Sequence, residues 1–181
     1  MEAVKAMNDN ATSDPAMPAT TDPTLDRLLR HMAWANATLL GELARLPGEA
    51  LVLASPRNEW TVAMIVAHIV DAAAWYASLL DGSVCPPDVA VPRTSADIVA
   101  IAEACAAADD RLRAVAALPD GMVEKVPGRY NRRSTILGQS IHHATEHRAQ
   151  VAGALSTNGI AAIDLDALDV WAYGEAEGLG A

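Results

Sequence analysis

Apolar side chains recur every three or four positions along most of this 181-residue chain, which is the spacing of one face of an α-helix. The first stripe begins at Pro23, where Asp22 can cap a helix, and Pro47-Gly48 would end it. Its members are Leu25, Leu28, Leu29, Met32, Leu39, Leu43 and Leu46. The pattern therefore predicts a long first helix.

The same spacing predicts a second and a third long helix. Thr61 can cap the second helix, which Asp81-Gly82 would end. Thr94 and Asp97 have the spacing of a capping box at the start of the third helix, and Pro119 marks its end. The third helix is rich in alanine, which would permit another helix to approach closely.

A fourth helix and a short tail helix complete the predicted fold. Ser134 or Thr135 can cap the fourth helix, which carries three of the five histidines. We expect the tail helix, residues 165–176, to pack back on the bundle through Val170 and Trp171. Because almost no segment alternates polar and apolar residues as a strand does, the chain is predicted to be all-α, a four-helix bundle with a short C-terminal helix.

The N-terminal residues differ from the rest in composition. Residues 1–22 are rich in Ala, Thr, Asp, Asn and Pro without periodic apolar positions, so we predict a disordered leader before a single domain over residues 23–181. This leader lacks the basic start and apolar stretch of a secretory signal. The longest apolar run, 62–70, is too short to cross a bilayer, and Cys85 and Cys105 form no CxxC pair. We therefore expect a cytoplasmic protein without a membrane partner.

The formal charge of −10 argues against a nucleic-acid partner, since phosphate backbones are bound through clustered Lys and Arg. The one basic cluster runs from Arg129 to Arg133. We interpret it as a solvated linker, with a site for a small anion as the alternative.

The histidines are the residues that point to chemistry. His143 and His147 are four residues apart, so on a helix both rings project from one face, about one turn from each other. His68 lies on or beside the buried stripe of the second helix and is the natural third ligand. The three residues predict a site for one divalent metal ion. Three core histidines that hydrogen-bond to other groups remain the alternative.

Four other polar residues near these positions have more ordinary interpretations. His142 points about 100° away from the ligand face, and His31 lies near a polar edge of the first helix, so neither enters the predicted site. Glu146 is also turned away and is interpreted as a solvated carboxylate. Asp71, one turn after His68, is predicted to orient that imidazole, with an exposed charge as the alternative.

The sequence lacks the usual motifs of several enzyme classes. A di-iron bundle needs Glu three residues before each histidine, and this chain has Ile65, Ser140 and Ala144 there. HExxH, G-x-S-x-G and glycine-rich phosphate loops are also missing. Trp34, Trp60, Trp75 and Tyr76 could line a pocket, but aromatic residues at helical spacing are interpreted as core.

Three segments of the sequence resemble the DinB-like superfamily of four-helix bundles, which includes bacillithiol and mycothiol S-transferases. These segments are LLRHMAWANATLLGEL, EWTVAMIVAHIVDAAAWYASLLDG and SIHHATEHRAQVAGAL. The resemblance covers most of the chain after residue 23, and the H-x3-H-R-x-Q run is its most specific part. It implies a metal site of His68, His143 and His147, structural roles for Arg148 and Gln150, and a homodimer formed through a helix face.

Three protein nitrogens leave at least one coordination position open, as in catalytic zinc sites. Zinc is the favoured ion, with nickel, iron or manganese as alternatives. Such a cation would stabilise a thiolate, so our leading hypothesis is a metal-dependent S-transferase that joins a low-molecular-weight thiol to a small-molecule electrophile. A metal-dependent hydrolase is one alternative, because zinc lowers the pKa of bound water to about 7. The other is a non-enzymatic metal-binding stress or dimerisation module, since no obvious acid or base lies beside the ligands.

Overall fold

The computed structural model describes residues 22–56 and 59–178. Four long helices dominate it, as predicted. The elements are α1 (Pro23–Leu43), a 3₁₀ helix (Gly48–Val52), α2 (Val62–Asp81), α3 (Ser95–Ala116), β1 (Met122–Val126), β2 (Arg129–Arg132), α4 (Arg133–Thr157), a second 3₁₀ helix (Asp166–Leu168) and α5 (Val170–Ala176). Of the predicted leader, only Asp22 lies within the described residues.

The starts of the first three long helices are confirmed, because each is set by a nearby side chain. Asp22 accepts hydrogen bonds from the first amides of α1. The hydroxyl of Thr61 accepts one from the amide of Met64 in α2. Thr94 and Asp97 form the predicted capping box of α3. Each cap satisfies amides that have no partner inside their helix.

The predicted cap of α4 is wrong. Ser134 and Thr135 lie inside the helix, which begins at Arg133, and the residue before it makes no capping hydrogen bond through its side chain. Instead, Oδ1 of Asp120 accepts a hydrogen bond from the amide of Ser134 at 2.9 Å. The group that caps α4 therefore comes from 14 residues earlier in the chain.

A β-hairpin occupies the connection between α3 and α4. Strands β1 and β2 are antiparallel, and Gly128 takes the positive φ of 77° that the turn requires. The interpretation of Arg129 to Arg133 as a solvated linker is wrong about the linker, because these residues form β2 and the start of α4, while Arg129 and Arg132 are exposed to solvent as predicted. Most side chains of both strands are exposed, so the alternation of buried and exposed residues that would have revealed a strand is absent from them.

The four helices form a bundle with a crossover. Helix α3 contacts both α1 and α2, and α4 contacts both as well, so the order around the bundle is α1, α3, α2, α4. Two clusters of buried side chains fill the core, one around Leu39, Val66 and Leu155 and the other around Leu29, Leu112 and Leu137. Along α1 and α4 the chain passes from the second cluster to the first, and along α2 and α3 in the reverse direction. Helices α2 and α3 are therefore parallel to each other and antiparallel to α1 and α4.

The tail packs against α1, but not through the predicted residues. Val170 is 41% exposed and Trp171 is 84% exposed, whereas Leu168 and Tyr173 are buried. The single tail helix predicted over residues 165–176 is also divided into a 3₁₀ turn and α5. The division places Leu168 and Tyr173 against the bundle and leaves Trp171 outside.

By length and composition alone, α2 could cross a membrane. However, 61% of its most apolar window is buried inside the bundle, as expected for a core helix of a soluble fold. In the described residues, this is the one helix with that property.

Candidate metal centre

Helices α2 and α4 are neighbours, and this brings the three predicted ligands together. Nε2 of His143 lies 3.2 Å from Nε2 of His68 and 3.1 Å from Nε2 of His147. One ring nitrogen from each residue can be chosen so that all three lie within 4.8 Å of one another. The spacing of four residues places two of the rings on one face of α4, and the packing of α2 against α4 supplies the third.

Hydrogen bonds within the cluster cannot satisfy all three rings. A neutral imidazole nitrogen is either a donor or an acceptor, so Nε2 of His143 can form one of its two short contacts as a hydrogen bond but not both. A shared cation removes this conflict. Tetrahedral zinc with Zn–N bonds of about 2.0–2.1 Å holds neighbouring nitrogens about 3.4 Å apart, close to the two separations measured from Nε2 of His143. The three histidines could therefore hold a metal ion.

Burial prepares two of the rings for this role. Burial, followed by the charge of His147 and of His68, lowers the pKa of His143 to about 4. Burial, followed by charge on His147, also lowers the pKa of His68. Both rings are consequently neutral at pH 7, the form in which imidazole offers a lone pair to a metal.

Gln150 fixes the orientation of one ring. Its Oε1 lies 2.9 Å from Nδ1 of His147, and an amide oxygen can only accept, so Nδ1 carries the proton. The lone pair of His147 is then on Nε2, which faces the cluster. The family resemblance implies a structural role for Gln150, and the structure gives that role a specific partner. The spacing of three residues between the two side chains along α4 is the sequence signal for this contact.

Arg148 has the structural role that the resemblance implies. It is 2% exposed, and its guanidinium donates to Oδ1 of Asn36 at 2.7 Å and to Oγ1 of Thr145 at 2.9 Å. Asn36 in turn donates to Oδ2 of Asp109 at 3.1 Å, and the Cys105 thiol lies beside the same oxygen. We call Arg148, Asn36, Asp109 and Cys105 the buried polar network. It ties α4 to α1 and α3 at the level of the triad.

Two aromatic side chains flank the histidines. Trp60 lies edge-on to His68, with ring centres 4.9 Å apart, and parallel to His147 at 6.2 Å. Tyr76 approaches His143 with 5.8 Å between ring centres. The interpretation of the four aromatic residues as core is wrong for Trp60 and Trp75, which are 37% and 36% exposed.

The remaining candidates lie as follows. His142 and Glu146 are exposed on the surface of α4, as predicted. His31 does not lie at a polar edge: it is 5% exposed and its Nε2 is 2.8 Å from the carbonyl oxygen of Leu168, so it holds the tail against α1. Asp71 accepts a hydrogen bond from the amide of Val89, and its charge raises the pKa of His68 through space. That Asp71 orients the His68 ring stays a prediction.

The comparisons with known proteins agree with this architecture. The model of the DinB family matches residues 7–176, nearly the whole chain. No curated protein matches it at a significant level of similarity. The family match spans all four helices, the hairpin and the three histidines of α2 and α4. The chain therefore belongs to the DinB family.

Proposed function

We propose that His68, His143 and His147 hold one divalent metal ion, with zinc as the first choice, and that the protein is a metal-dependent S-transferase that uses a low-molecular-weight thiol. The observation that supports this most strongly is the convergence of three ring nitrogens from two helices. A set of three imidazoles favours zinc, nickel or iron over magnesium and calcium, which prefer oxygen ligands.

The exposure of the cluster favours a catalytic site over a purely structural one. His68 and His143 are only partly buried, so one side of the cluster can be reached from solvent. Structural zinc sites are closed by four protein ligands, whereas catalytic sites keep a position open for substrate. When bound, the metal would supply the positive charge that stabilises a thiolate at neutral pH.

The residues around the triad suit thiol chemistry better than hydrolysis. Within the part of the chain that the structure describes, neither Asp71 nor Glu146 hydrogen-bonds to a ring of the triad. A nearby cation lowers the pKa of a thiol, which then releases its proton to solvent and needs no base of its own, whereas the hydrolysis of an ester or amide is usually assisted by one. Trp60 and Tyr76 cover two flanks of the triad and limit access by water.

The test is a thiol-consumption assay on the metal-loaded full chain with glutathione, cysteine, bacillithiol and mycothiol, each offered 1-chloro-2,4-dinitrobenzene and monobromobimane. We expect at least one thiol to be consumed, with loss of the activity in His143→Ala. His142→Ala is the matched control, because it removes an adjacent but exposed imidazole of the same helix. This variant should keep full activity.

Two other outcomes of this assay would favour the alternative functions. Cleavage of esters or amides without consumption of thiol would replace the proposal with a metal-dependent hydrolase. Bound metal with neither activity would replace it with a metal-binding module. If His143→Ala and His142→Ala retained equal thiol-transfer activity, the triad would not be the catalytic centre.

A further inference from the structure

A cleft lies beside the triad, between α2, the hairpin and the start of α4. Its volume is about 240 Å³. The Tyr76 ring forms part of its wall and also faces His143, so the cleft and the triad share a boundary. Gln139, one turn before His143 on α4, lies on the same wall. The polar and aromatic residues that line the cleft are Trp75, Tyr76, Lys125, Asn131, Thr135 and Gln139.

The cleft carries an uncompensated positive charge. Lys125 extends from β1 and its ammonium lies 5.7 Å from the centre of the Trp75 ring. In the described residues, no carboxylate lies within ion-pair distance of this ammonium, and none lines the cleft. The aromatic face holds the ammonium in place without neutralising it.

The start of α4 forms one wall of the cleft. Thr135 and Ile136 belong to the first turn of α4 and line the cleft. The amides of Arg133 and Ser134 are already bound to the carbonyl oxygen of Gly121 and to Asp120, so the charge that this cleft offers to a ligand comes from Lys125.

The other polar groups of the cleft suit a small planar acid. Asn131 and Gln139 offer amide donors, and Thr135 offers a hydroxyl. Trp75 and Tyr76 offer apolar ring surface next to them. Pockets for drug-sized ligands measure about 300–1,000 Å³, so this cleft suits a small molecule or one end of a larger one. A single ammonium with amide donors matches a carboxylate, whereas phosphate is usually held by several cations or a cradle of backbone amides.

We propose that this cleft binds the carboxylate of a small organic acid and that Lys125 is the residue that recognises it. We assign the bound acid as the second substrate, the electrophile that receives the thiol. This part of the assignment rests on the function proposed above. Binding of the acid itself does not require the metal. A ligand whose carboxylate contacts Lys125 would extend past Tyr76 and present its other end to His143.

A larger cavity elsewhere does not have this chemistry. Its volume is about 570 Å³, and it lies between the segment after α2 and the start of α3. Its two charged side chains are Arg93 and Asp97, and Asp97 already accepts hydrogen bonds from the amides of the α3 cap. No histidine lines it.

The experiment is a ligand-observed NMR titration of the full-length chain with benzoate and with benzamide, which share a ring but differ in charge. Wild type should bind benzoate more tightly than benzamide, and Lys125→Gln should weaken benzoate binding about tenfold while leaving benzamide unchanged. Lys125→Arg should keep most of the affinity for benzoate, which shows that the hairpin still folds. Arg129→Gln is the matched control, because it removes one positive charge from the same hairpin outside the cleft.

Three results would overturn the proposal. They are equal affinity of wild type for benzoate and benzamide, unchanged benzoate binding in Lys125→Gln, and equal weakening by Arg129→Gln and Lys125→Gln. A carboxylate can also ligate a metal directly, so the titration is repeated in His147→Ala, a variant on the far side of the triad from Tyr76. If Lys125→Gln still weakens benzoate binding in the His147→Ala background, the cleft binds acids independently of the metal site. Loss of the effect in His147→Ala would contradict the assignment of recognition to Lys125.

Discussion

Two groups of polar side chains lie at the same level of the bundle, where its two apolar clusters meet, and one group is buried while the other is partly exposed. One is the buried polar network of α1, α3 and α4, and the other is the histidine triad of α2 and α4. In the network, donors meet acceptors in sequence: Arg148 donates to Asn36, and Asn36 donates to Asp109. In the triad, three ring nitrogens face one another, and hydrogen bonds cannot satisfy them all.

Whether the polar atoms can pair with one another distinguishes a structural polar network from a candidate ligand-binding site. Buried polar atoms cost free energy unless they are paired, so a folded protein pairs them or provides a ligand that does. The network is nearly complete in itself, with one oxygen of Asp109 left without a partner in the described residues. The triad has no such set of protein partners, and a cation could supply what is missing. The two groups should therefore respond in opposite ways to mutation and to metal.

The largest effect on stability should come from Arg148. Arg148→Met leaves the Asp109 carboxylate and the Asn36 amide buried without their cationic neighbour, and we expect it to lower the free energy of unfolding by about 3–5 kcal/mol. Urea denaturation measures this. Arg45→Met is the control, because Arg45 forms an exposed ion pair with Glu42 and should cost at most about 1 kcal/mol. Equal losses of unfolding free energy in the two variants would show that the buried polar network stabilises the fold no more than an exposed ion pair does.

The next effect is a dependence of stability on pH that originates in Asp109. Burial raises the pKa of this carboxyl to about 6 in the folded protein, against 3.8 for an ordinary aspartate. The folded state therefore favours the protonated form, so the contribution to stability is full below pH 3.8 and is lost as the pH rises through 6. From the difference in pKa, the loss between pH 4 and pH 7 is about 2.4 kcal/mol.

The measurement compares urea unfolding of wild type and Asp109→Asn at pH 4, 5, 6 and 7. Groups common to both proteins cancel in the difference, which should shift in favour of the asparagine variant as the pH rises. A difference that stays constant over this range would show that Asp109 does not titrate as the structure indicates.

The smallest effect should appear at Gln150 and concerns metal rather than stability. Gln150→Ala removes the acceptor that holds Nδ1 of His147, and loss of such a partner typically weakens metal binding about tenfold to a hundredfold. Gln150→Glu keeps an acceptor at the same place and should retain the affinity. Competition with a coloured zinc chelator measures all three proteins. Equal affinity of wild type and Gln150→Ala for zinc would show that Gln150 does not orient His147 for metal binding.

How much of the fold can be predicted from the sequence depends on how local its causes are. Asp22, Thr61 and Thr94 lie next to the helices that they cap, and their helices start where predicted. The start of α4 depends on Asp120, which is brought to it by the hairpin, so inspection of the residues around Ser134 chooses the wrong cap. The hairpin itself escapes prediction because its strands bury almost nothing.

The same reasoning applies to the site. His143 and His147 are found from their spacing on one helix, and His68 from its place on the stripe of another. Trp60 and Lys125 are not found in this way. Trp60 precedes α2 and meets His147 only because α2 packs on α4, and Lys125 reaches Trp75 only because the hairpin folds over α2. Contacts between elements depend on packing, which periodicity does not describe.

The most direct test of the central claim is the metal content of the purified, untagged protein, measured by inductively coupled plasma mass spectrometry in wild type, His143→Ala and His142→Ala. We predict about one equivalent of zinc, nickel, iron or manganese in wild type and in His142→Ala, and none above background in His143→Ala. No metal in wild type after reconstitution, or equal metal in all three proteins, would contradict a metal site at the triad.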